Sequence, residues 1–241
     1  MLATGAGTGA LALRTPPTEP RWRGGILFDD SVRRTVRLES PTARQRLRTV
    51  GDWPYYLSPA LPLVVDPLIV SLLGRGDAKS AANLELMGLE AFSYAGLLSF
   101  VSTRISVRER PDTTECRRLH PDAANCELDT EAFWSGHTSI VAASAGLVCA
   151  NHRYLPLWGS PLADASACAL AGTGALVTAV SRLMADRHYA TDVLVGMGVG
   201  FAFGYGVPVV LHYGRRKGDV RVSFQPDALG AGAVVSVAGL F

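Results

Sequence analysis

The segment SRLMADRHYATD, residues 181–192, places five ionisable groups between two long apolar stretches. His188 and Asp192 are four residues apart, so they share one face wherever this segment is helical. A carboxylate behind an imidazole fixes the ring tautomer and stabilises the imidazolium, which leaves the other ring nitrogen free to attack an electrophile. Arg182 adds a planar cation that suits the oxygens of an anion. On its own the segment also fits a polar turn in which His188 and Asp192 form a structural pair.

Two further polar clusters lie at the ends of apolar stretches. TRISVRERP, residues 103–111, contributes arginines, and FWSGHTS, residues 133–139, begins the next stretch. The planar guanidinium of arginine can donate two parallel hydrogen bonds to the oxygens of a phosphoryl group. A helix that begins at Ser135 and Gly136 would direct its first backbone N–H groups at an anion. His137 can protonate a leaving alkoxide. Together the clusters predict phosphoryl transfer without a metal; the converging groups are Arg104, Arg108, Arg110, Ser135, Gly136, His137, Arg182, His188 and Asp192.

Five mainly apolar segments position these clusters, at about 54–74, 85–103, 136–150, 161–184 and 190–212. If each segment crosses the bundle once, alternation alone brings the three clusters to one face. Four segments are long enough to cross a bilayer, whereas the third has only about 15 residues, short of the roughly 20 required. The segments are rich in Ala, Gly and Ser, which allows close helix packing. We predict an all-α bundle of about five core helices, embedded in a membrane.

The remaining parts of the chain differ from this core in composition. Residues 1–27 contain TPPTEP and RGG and are predicted to be a flexible lead-in to a helical domain at 28–212. Within that domain, Val32, Val36 and Leu38 alternate with arginines over 28–50, which predicts a short amphipathic, interfacial helix. The tail at 213–241 contains VRVSF and AVVSVAGLF around a Pro/Gly turn, which is strand-like.

Composition narrows the class of protein. Hydrophobic residues make up 48% of the 241 residues and charged residues 18%, below the roughly 25% of an ordinary soluble domain. Mean hydropathy is +0.20, which is high for a soluble protein but modest for a multi-span membrane protein. The net charge of +2 gives no electrostatic footprint for nucleic acid. We therefore expect a membrane partner and no nucleic-acid partner, and the oligomeric state stays open.

The three clusters resemble the signature of the type 2 phosphatidic acid phosphatase superfamily, both in their order along the chain and in their shared face of the bundle. This superfamily includes bacterial acid phosphatases and vanadium haloperoxidases. That signature is Lys-x6-Arg-Pro, then Pro-Ser-Gly-His, then Ser-Arg-x5-His-x3-Asp. The third part matches fully at Ser181, Arg182, His188 and Asp192. The second matches at Ser135, Gly136 and His137 with Trp134 in place of proline, and the first matches at Arg110 and Pro111 with Thr103 in place of lysine. The resemblance covers about residues 54–212.

The resemblance implies a lipid-phosphate or isoprenoid-diphosphate phosphatase that uses neither a metal nor another cofactor. His188 would be the nucleophile that becomes phosphorylated, Asp192 would orient it, and His137 would protonate the leaving group. The phosphate would be held by Arg110, Arg182, Ser135 and the Gly136 N–H. Arg104 also lies close, but it points about 100° away from Thr103 around a helix, so whether it replaces the lysine stays open.

Other functions fit parts of the same pattern. The short third segment and the modest hydropathy favour a soluble acid phosphatase or phosphotransferase, located in the periplasm. A vanadate-dependent haloperoxidase is disfavoured by the small size and the missing lysine. Thr103 also fits a membrane protein whose site has decayed. Basic residues at 215–217 favour a catalytic face outside the cytoplasm, but the arginines of residues 1–50 oppose that orientation.

Residues outside the motifs carry their own expectations. Cys116 and Cys126 flank RRLHPDAAN, whose proline and polar residues favour a turn, so we predict a disulfide that forms in an oxidising compartment. Cys149 and Cys168 lie in apolar runs and are predicted to be small buried hydrophobes. The histidines that match no motif are predicted to be surface or helix-end residues: His120, His152 and His212. Three arginines are predicted to be solvated loop charges in preference to phosphate ligands, although one of them, Arg108, lies in the first cluster: Arg108, Arg117 and Arg118.

Overall fold

The protein is described from a computed structural model over residues 19–120, 126 and 129–214, together with the backbone of 221–226 and 233–238. Helices account for most of these residues. They are α1 (Asp29–Val36), α2 (Pro41–Leu57), the π-helical α3 (Leu61–Gly74), α4 (Ala78–Ser106), α5 (Pro111–Leu119), α6 (Gly136–Tyr154), α7 (Pro161–Met184) and α8 (Ala190–Pro208), which continues as a π-helical turn (Val209–Tyr213).

Local sequence determines where the long helices begin. The residues before α2, α4, α6 and α7 each accept a backbone N–H three positions later with a side-chain oxygen, which satisfies a donor that the helix leaves free. Proline follows the cap in α2 and α7, where its fixed φ suits the first helical position. The capping residues are Ser40, Asp77, Ser135 and Ser160.

Helix α6 lies at the centre of the bundle and is buried along most of its length. Helix α8 packs directly on its backbone, because a Cβ at Gly200 or Gly204 would overlap the carbonyl groups of Ser139 and Ala143. Gly198, on another face of α8, has open space around it. The spacing of small residues therefore brings the two helices to backbone contact.

The outer helices have the length and hydropathy of membrane spans. Among the described residues, α4, α7 and α8 with its π-helical turn meet that test, and α2 with α3, bent by 41°, would add a fourth span. Large apolar side chains such as Leu162 and Val210 are exposed on these helices. The predicted membrane-embedded helical bundle is confirmed.

The N-terminal predictions need two corrections. Residues 1–18 lie outside the described residues, but residues 19–27 do not form a separate lead-in: Arg21 donates its N–H to the Val107 carbonyl (3.1 Å), and Trp22 accepts the Glu109 N–H (2.9 Å). The single amphipathic helix predicted at 28–50 is instead α1 and part of α2. It breaks because Ser40 precedes Pro41, and proline disfavours helical conformation in the residue before it.

The C-terminal tail contains a hairpin of two antiparallel strands, β1 (Arg221–Pro226) and β2 (Ala233–Ala238). The strand-like composition predicted for the tail is confirmed over these two ranges. Residues 215–220, 227–232 and 239–241 lie outside the described residues.

A buried polar network lies where α6 ends and α7 begins. His152 Nδ1 lies 2.6 Å from Asp164 Oδ1, and its Nε2 lies 3.2 Å from Asp66 Oδ2 of α3. Trp158 donates its indole N–H to the second Asp66 oxygen (3.1 Å). His152 lies in the last turn of α6, as the prediction of a surface or helix-end residue allows, but its side chain is buried between carboxylates of α3 and α7. His120, by contrast, is exposed.

Helices α6 and α7 are also joined covalently. Cys149 and Cys168 form a disulfide with a Cα–Cα distance of 4.5 Å, so the prediction that they are simply buried hydrophobes is wrong. The antiparallel packing of α6 and α7 brings them within bridging distance, which no spacing in the sequence indicates.

Candidate active site

The three polar clusters meet at one end of the bundle, formed by the C-termini of α4 and α7 and the N-termini of α6 and α8, which we call the site end. Ser135 donates its backbone N–H to the Asp192 carbonyl (3.1 Å), which joins the second cluster to the third. Arg108 lies 2.5 Å from Asp192 Oδ1, which joins the first cluster to the third. The convergence predicted from alternation is confirmed.

His188 is buried in the turn between α7 and α8. Its Nδ1 lies 2.9 Å from the Ala132 carbonyl, so Nδ1 carries the hydrogen and Nε2 keeps a lone pair. The predicted orienting carboxylate of Asp192 lies farther away, 3.8 Å from Nδ1. The ring is therefore oriented by a backbone carbonyl, and the Asp192 carboxylate, which was predicted to orient it, lies beyond hydrogen-bond distance of Nδ1.

Asp192 is engaged by other donors. Its Oδ2 accepts the Tyr189 backbone N–H (2.8 Å), and its Oδ1 pairs with Arg108. Arg108 is fully buried, also pairs with Asp29 (2.8 Å), and lies between the rings of Trp22 and Tyr189 at 3.9 and 4.1 Å. The prediction that Arg108 is a solvated loop charge is wrong, because its partners come from segments about 80 residues away in either direction.

The electrostatic environment keeps His188 neutral. Burial lowers its pKa well below 6.5, and the guanidinium groups of Arg110 and Arg182 lower it further. The hydrogen bond to Ala132 opposes this shift without reversing it. A neutral imidazole with an unprotonated Nε2 is the form that acts as a nucleophile.

Arg182 and His137 share one carboxylate. Arg182, buried in the last turn of α7, forms an ion pair with Asp52 of α2. His137, in the first turn of α6 and 31% exposed, has its Nε2 3.4 Å from the same Asp52 oxygen. Its ring contacts the Tyr55 ring at a tilt of 38°, with a centroid distance of 4.3 Å. The structure thus brings the predicted acid and a predicted phosphate ligand to one point.

The other predicted phosphate ligands have partners around this point. Arg110 Nε lies 2.9 Å from Asp129, and Arg104 lies 3.8 Å from Glu131 at the edge of the site. Thr103, at the position of the motif lysine, donates its hydroxyl to the carbonyl of Phe100 in its own helix (2.9 Å). Thr103 therefore adds no charge to the site.

Ser135 and Gly136 form the start of α6, as predicted. The Ser135 hydroxyl lies 3.5 Å from the Thr138 N–H and caps the helix. A Cβ at Gly136 would come within 3.1 Å of the Ser99 hydroxyl, so the backbone is closely packed there.

Sequence analysis missed the contribution of α1 and α2. Asp186, buried in the turn before His188, is held by Arg33 of α1, Arg37 directly after α1, and Arg44 of α2. Their spacing predicts an amphipathic surface, and no local signal identifies their partner, because Arg33 and Asp186 are 153 residues apart. The distances to Asp186 are 2.6 Å for Arg33, 3.0 Å for Arg37 and 3.3 Å for Arg44.

Cys116 and Cys126 lie at the site end, where α5 is joined to the segment that leads to α6. They form a disulfide with a Cα–Cα distance of 5.8 Å. The disulfide predicted from the polar loop is confirmed.

Comparison with known proteins places this arrangement in a family. The fold is similar to that of a solved structure described as the first transmembrane PAP2 type phosphatidylglycerolphosphate phosphatase from Bacillus subtilis, with 20% identity, a TM-score of 0.56, and coverage of 90% of this chain and 98% of that chain. A family model of the PAP2 superfamily matches residues 86–216. No curated protein matches the chain in sequence.

The fold and the site together define a membrane-embedded helical phosphatase. The family match covers more than half of the chain, and the chain belongs to the PAP2 superfamily. The apolar outer helices place it in a membrane, so the soluble periplasmic alternative does not hold. Helices α1, α2 and α3 precede the matched residues.

Proposed function

We propose that the protein hydrolyses a phosphomonoester or diphosphate of a lipid through a phosphohistidine intermediate. The observation that carries this proposal is the neutral His188, whose Nδ1 is held by the Ala132 carbonyl and whose Nε2 is free. Arg110 and Arg182 are close enough to lower its pKa, so a phosphate beside them would also lie beside the nucleophile. We call the group formed by Arg110, Arg182 and His137 the phosphate site.

In the first step, His188 Nε2 attacks phosphorus and a nitrogen–phosphorus bond forms. In the empty enzyme, burial and the nearby Arg182 lower the pKa of His137 to about 3, so its ring is neutral until a phosphate binds. The negative charge of the bound phosphate raises that pKa, and His137 takes up a proton. The bond from phosphorus to the leaving oxygen then breaks, and His137 donates this proton to that oxygen. The arginines balance the charge on the phosphoryl oxygens. The negative charge of Asp192, 3.8 Å from Nδ1, stabilises the positive ring of the intermediate.

In the second step, water attacks the phosphohistidine and His137 accepts its proton. The nitrogen–phosphorus bond breaks, inorganic phosphate leaves and neutral His188 is restored. Every proton and bond in this route is accounted for by His188, His137 and water.

Several observations support a lipid substrate. The site lies at the end of apolar helices whose exposed leucines and valines suit lipid tails. The phosphate site recognises the phosphate and leaves the rest of the molecule to the membrane, which fits a phosphatidate or an isoprenoid diphosphate. The similar solved structure is named for phosphatidylglycerolphosphate, a substrate of the same chemical class.

We also propose that the site end faces out of the cytoplasm. The Cys116–Cys126 disulfide lies at that end, and such a bond persists in an oxidising compartment.

Phosphate release from a panel of lipid phosphates tests the function directly. We expect the purified protein to release phosphate from at least one of them, and His188→Ala to abolish release because it removes the nucleophile. Acid-labile, base-stable labelling by a substrate with radioactive phosphorus should appear in the wild type and be absent from His188→Ala. His120→Ala is the control, because His120 is exposed and lies outside the site.

Near-normal release by His188→Ala would contradict the mechanism. Failure of the wild type to release phosphate from any member of the panel would favour the alternative of a decayed site. Halide oxidation in the presence of vanadate would favour the haloperoxidase alternative.

A further inference from the structure

Asp52 lies in the phosphate site although it belongs to none of the three motifs. It comes from α2, outside the residues that match the family model. Its carboxylate pairs with Arg182 and lies 3.4 Å from His137 Nε2. These are the two groups that would bind a phosphoryl oxygen and protonate the leaving oxygen. At this position the Asp52 carboxylate offers two oxygen atoms and a negative charge to Arg182 and His137, as two oxygens of a bound phosphate would.

The packing of α2 fixes this position. Gly51 packs so closely on Ser181 that a Cβ at residue 51 would overlap the serine side chain. Tyr55, one turn beyond Asp52, packs its ring against the His137 ring. Asp52 is therefore held at the site by residues on both sides, while its side chain remains 28% exposed and can be reached from outside.

We propose that Asp52 is a specificity-determining residue that occupies the phosphate site of the empty enzyme, so that a substrate phosphate must displace it. The inference rests on the proposed function. Any anion that binds must first break the same interaction, that of Asp52 with Arg182 and His137. A phosphodiester carries one negative charge, no more than the carboxylate that it replaces, whereas a terminal phosphate carries about 1.5–2 at pH 7. Asp52 thereby keeps the abundant phosphodiester lipids of a membrane out of the site.

Asp52→Asn tests this idea, because it removes the charge with little change of shape. We expect the Kd of the purified full-length protein for orthovanadate and for inorganic phosphate, measured by calorimetry, to fall at least about tenfold. Dioctanoylphosphatidylglycerol should inhibit the variant at concentrations that leave the wild type unaffected. Glu39→Gln is the matched control: it removes one charge from the exposed turn between α1 and α2 and should leave both affinities unchanged.

Unchanged or weaker anion binding by Asp52→Asn would overturn the proposal, since a residue that merely supports Arg182 would weaken binding when removed. Asp52→Ser is a second neutral variant that is held to the same expectation, so a folding defect in one leaves the test intact. The affinities need no turnover. If the wild type binds vanadate but releases no phosphate, the proposed function is contradicted. If the wild type releases phosphate but neither variant binds anions more tightly, the role of Asp52 is contradicted.

Discussion

At the scale of single residues, the site depends on Arg108 as much as on the motif residues. Its guanidinium joins Asp29, at the start of α1, to Asp192, which lies beside His188, and all three side chains are fully buried. Two carboxylates around one cation need that cation, because a buried charge without a partner is strongly destabilising.

Arg108→Ala should therefore lower the free energy of unfolding by about 3–5 kcal/mol. Thermal or denaturant unfolding in detergent measures the change, and phosphate release should fall with it because Asp192 loses its partner. Arg118→Ala, at an exposed position of α5, is the control and should change stability by less than about 0.5 kcal/mol. A loss below about 1 kcal/mol for Arg108→Ala would show that water or another group compensates the carboxylates.

The motif residues could be predicted from sequence, and their partners could not. His137, Arg182 and His188 follow from residue type and spacing, and alternation of the helices places them together. Asp52 contacts Arg182 across 130 residues, and no periodicity in α2 distinguishes it from a surface acid. Asp192 shows the same limit. Spacing places it near His188, but only the fold shows that Arg108 binds one of its carboxylate oxygens and the Tyr189 N–H binds the other.

At the scale of helices, the contact between α6 and α8 keeps the second and third clusters together. The contact depends on glycines of α8 that leave room for carbonyl groups of α6. It begins next to the site, where the Ser135 N–H bonds to the Asp192 carbonyl, so a change in the helix spacing shifts the residues around His188 directly.

Gly200→Ala should destabilise the protein by about 1–3 kcal/mol, the usual cost of overpacking, and lower phosphate release. Gly198→Ala is a matched control on the same helix, because its Cβ would enter open space; we expect it to be neutral or stabilising, since alanine favours a helix over glycine. Melting temperatures in one detergent compare the two variants. Equal melting temperatures would mean that the helices separate at little cost.

The long helices could be predicted because their apolar runs are continuous and end at polar clusters. The break between α1 and α2 was missed, since arginines on both sides hide it, although Ser40 and Pro41 mark it locally. The covalent link between α6 and α7 could not be predicted either, because a cysteine in an apolar run looks the same whether free or paired.

At the scale of the whole molecule, the two disulfides lie at different depths. Cys116–Cys126 lies at the site end, and Cys149–Cys168 joins two helices nearer the opposite end. Sequence alone could not fix the orientation, because basic residues occur near both ends of the bundle.

Thiol labelling of cells tests the orientation. Without a reductant we expect no labelling, because all four cysteines are paired. After mild reduction, a membrane-impermeant reagent applied outside should label Cys116 and Cys126, as mass spectrometry of peptides would show. Labelling of Cys116 and Cys126 in native membranes without a reductant would contradict the bridge and remove the support for an outward site end.

The network of Asp66, His152 and Asp164 constrains how the chain enters a membrane. A carboxylate near the middle of an apolar helix costs about 2.5–3.5 kcal/mol to insert, and the groups that satisfy Asp66 come from His152 and Trp158, 86 and 92 residues later. When α3 leaves the ribosome, its partners have not yet been synthesised. The insertion cost of Asp66 is therefore offset by His152 and Trp158 only after α6 and the segment that follows it have been synthesised and have packed against α3.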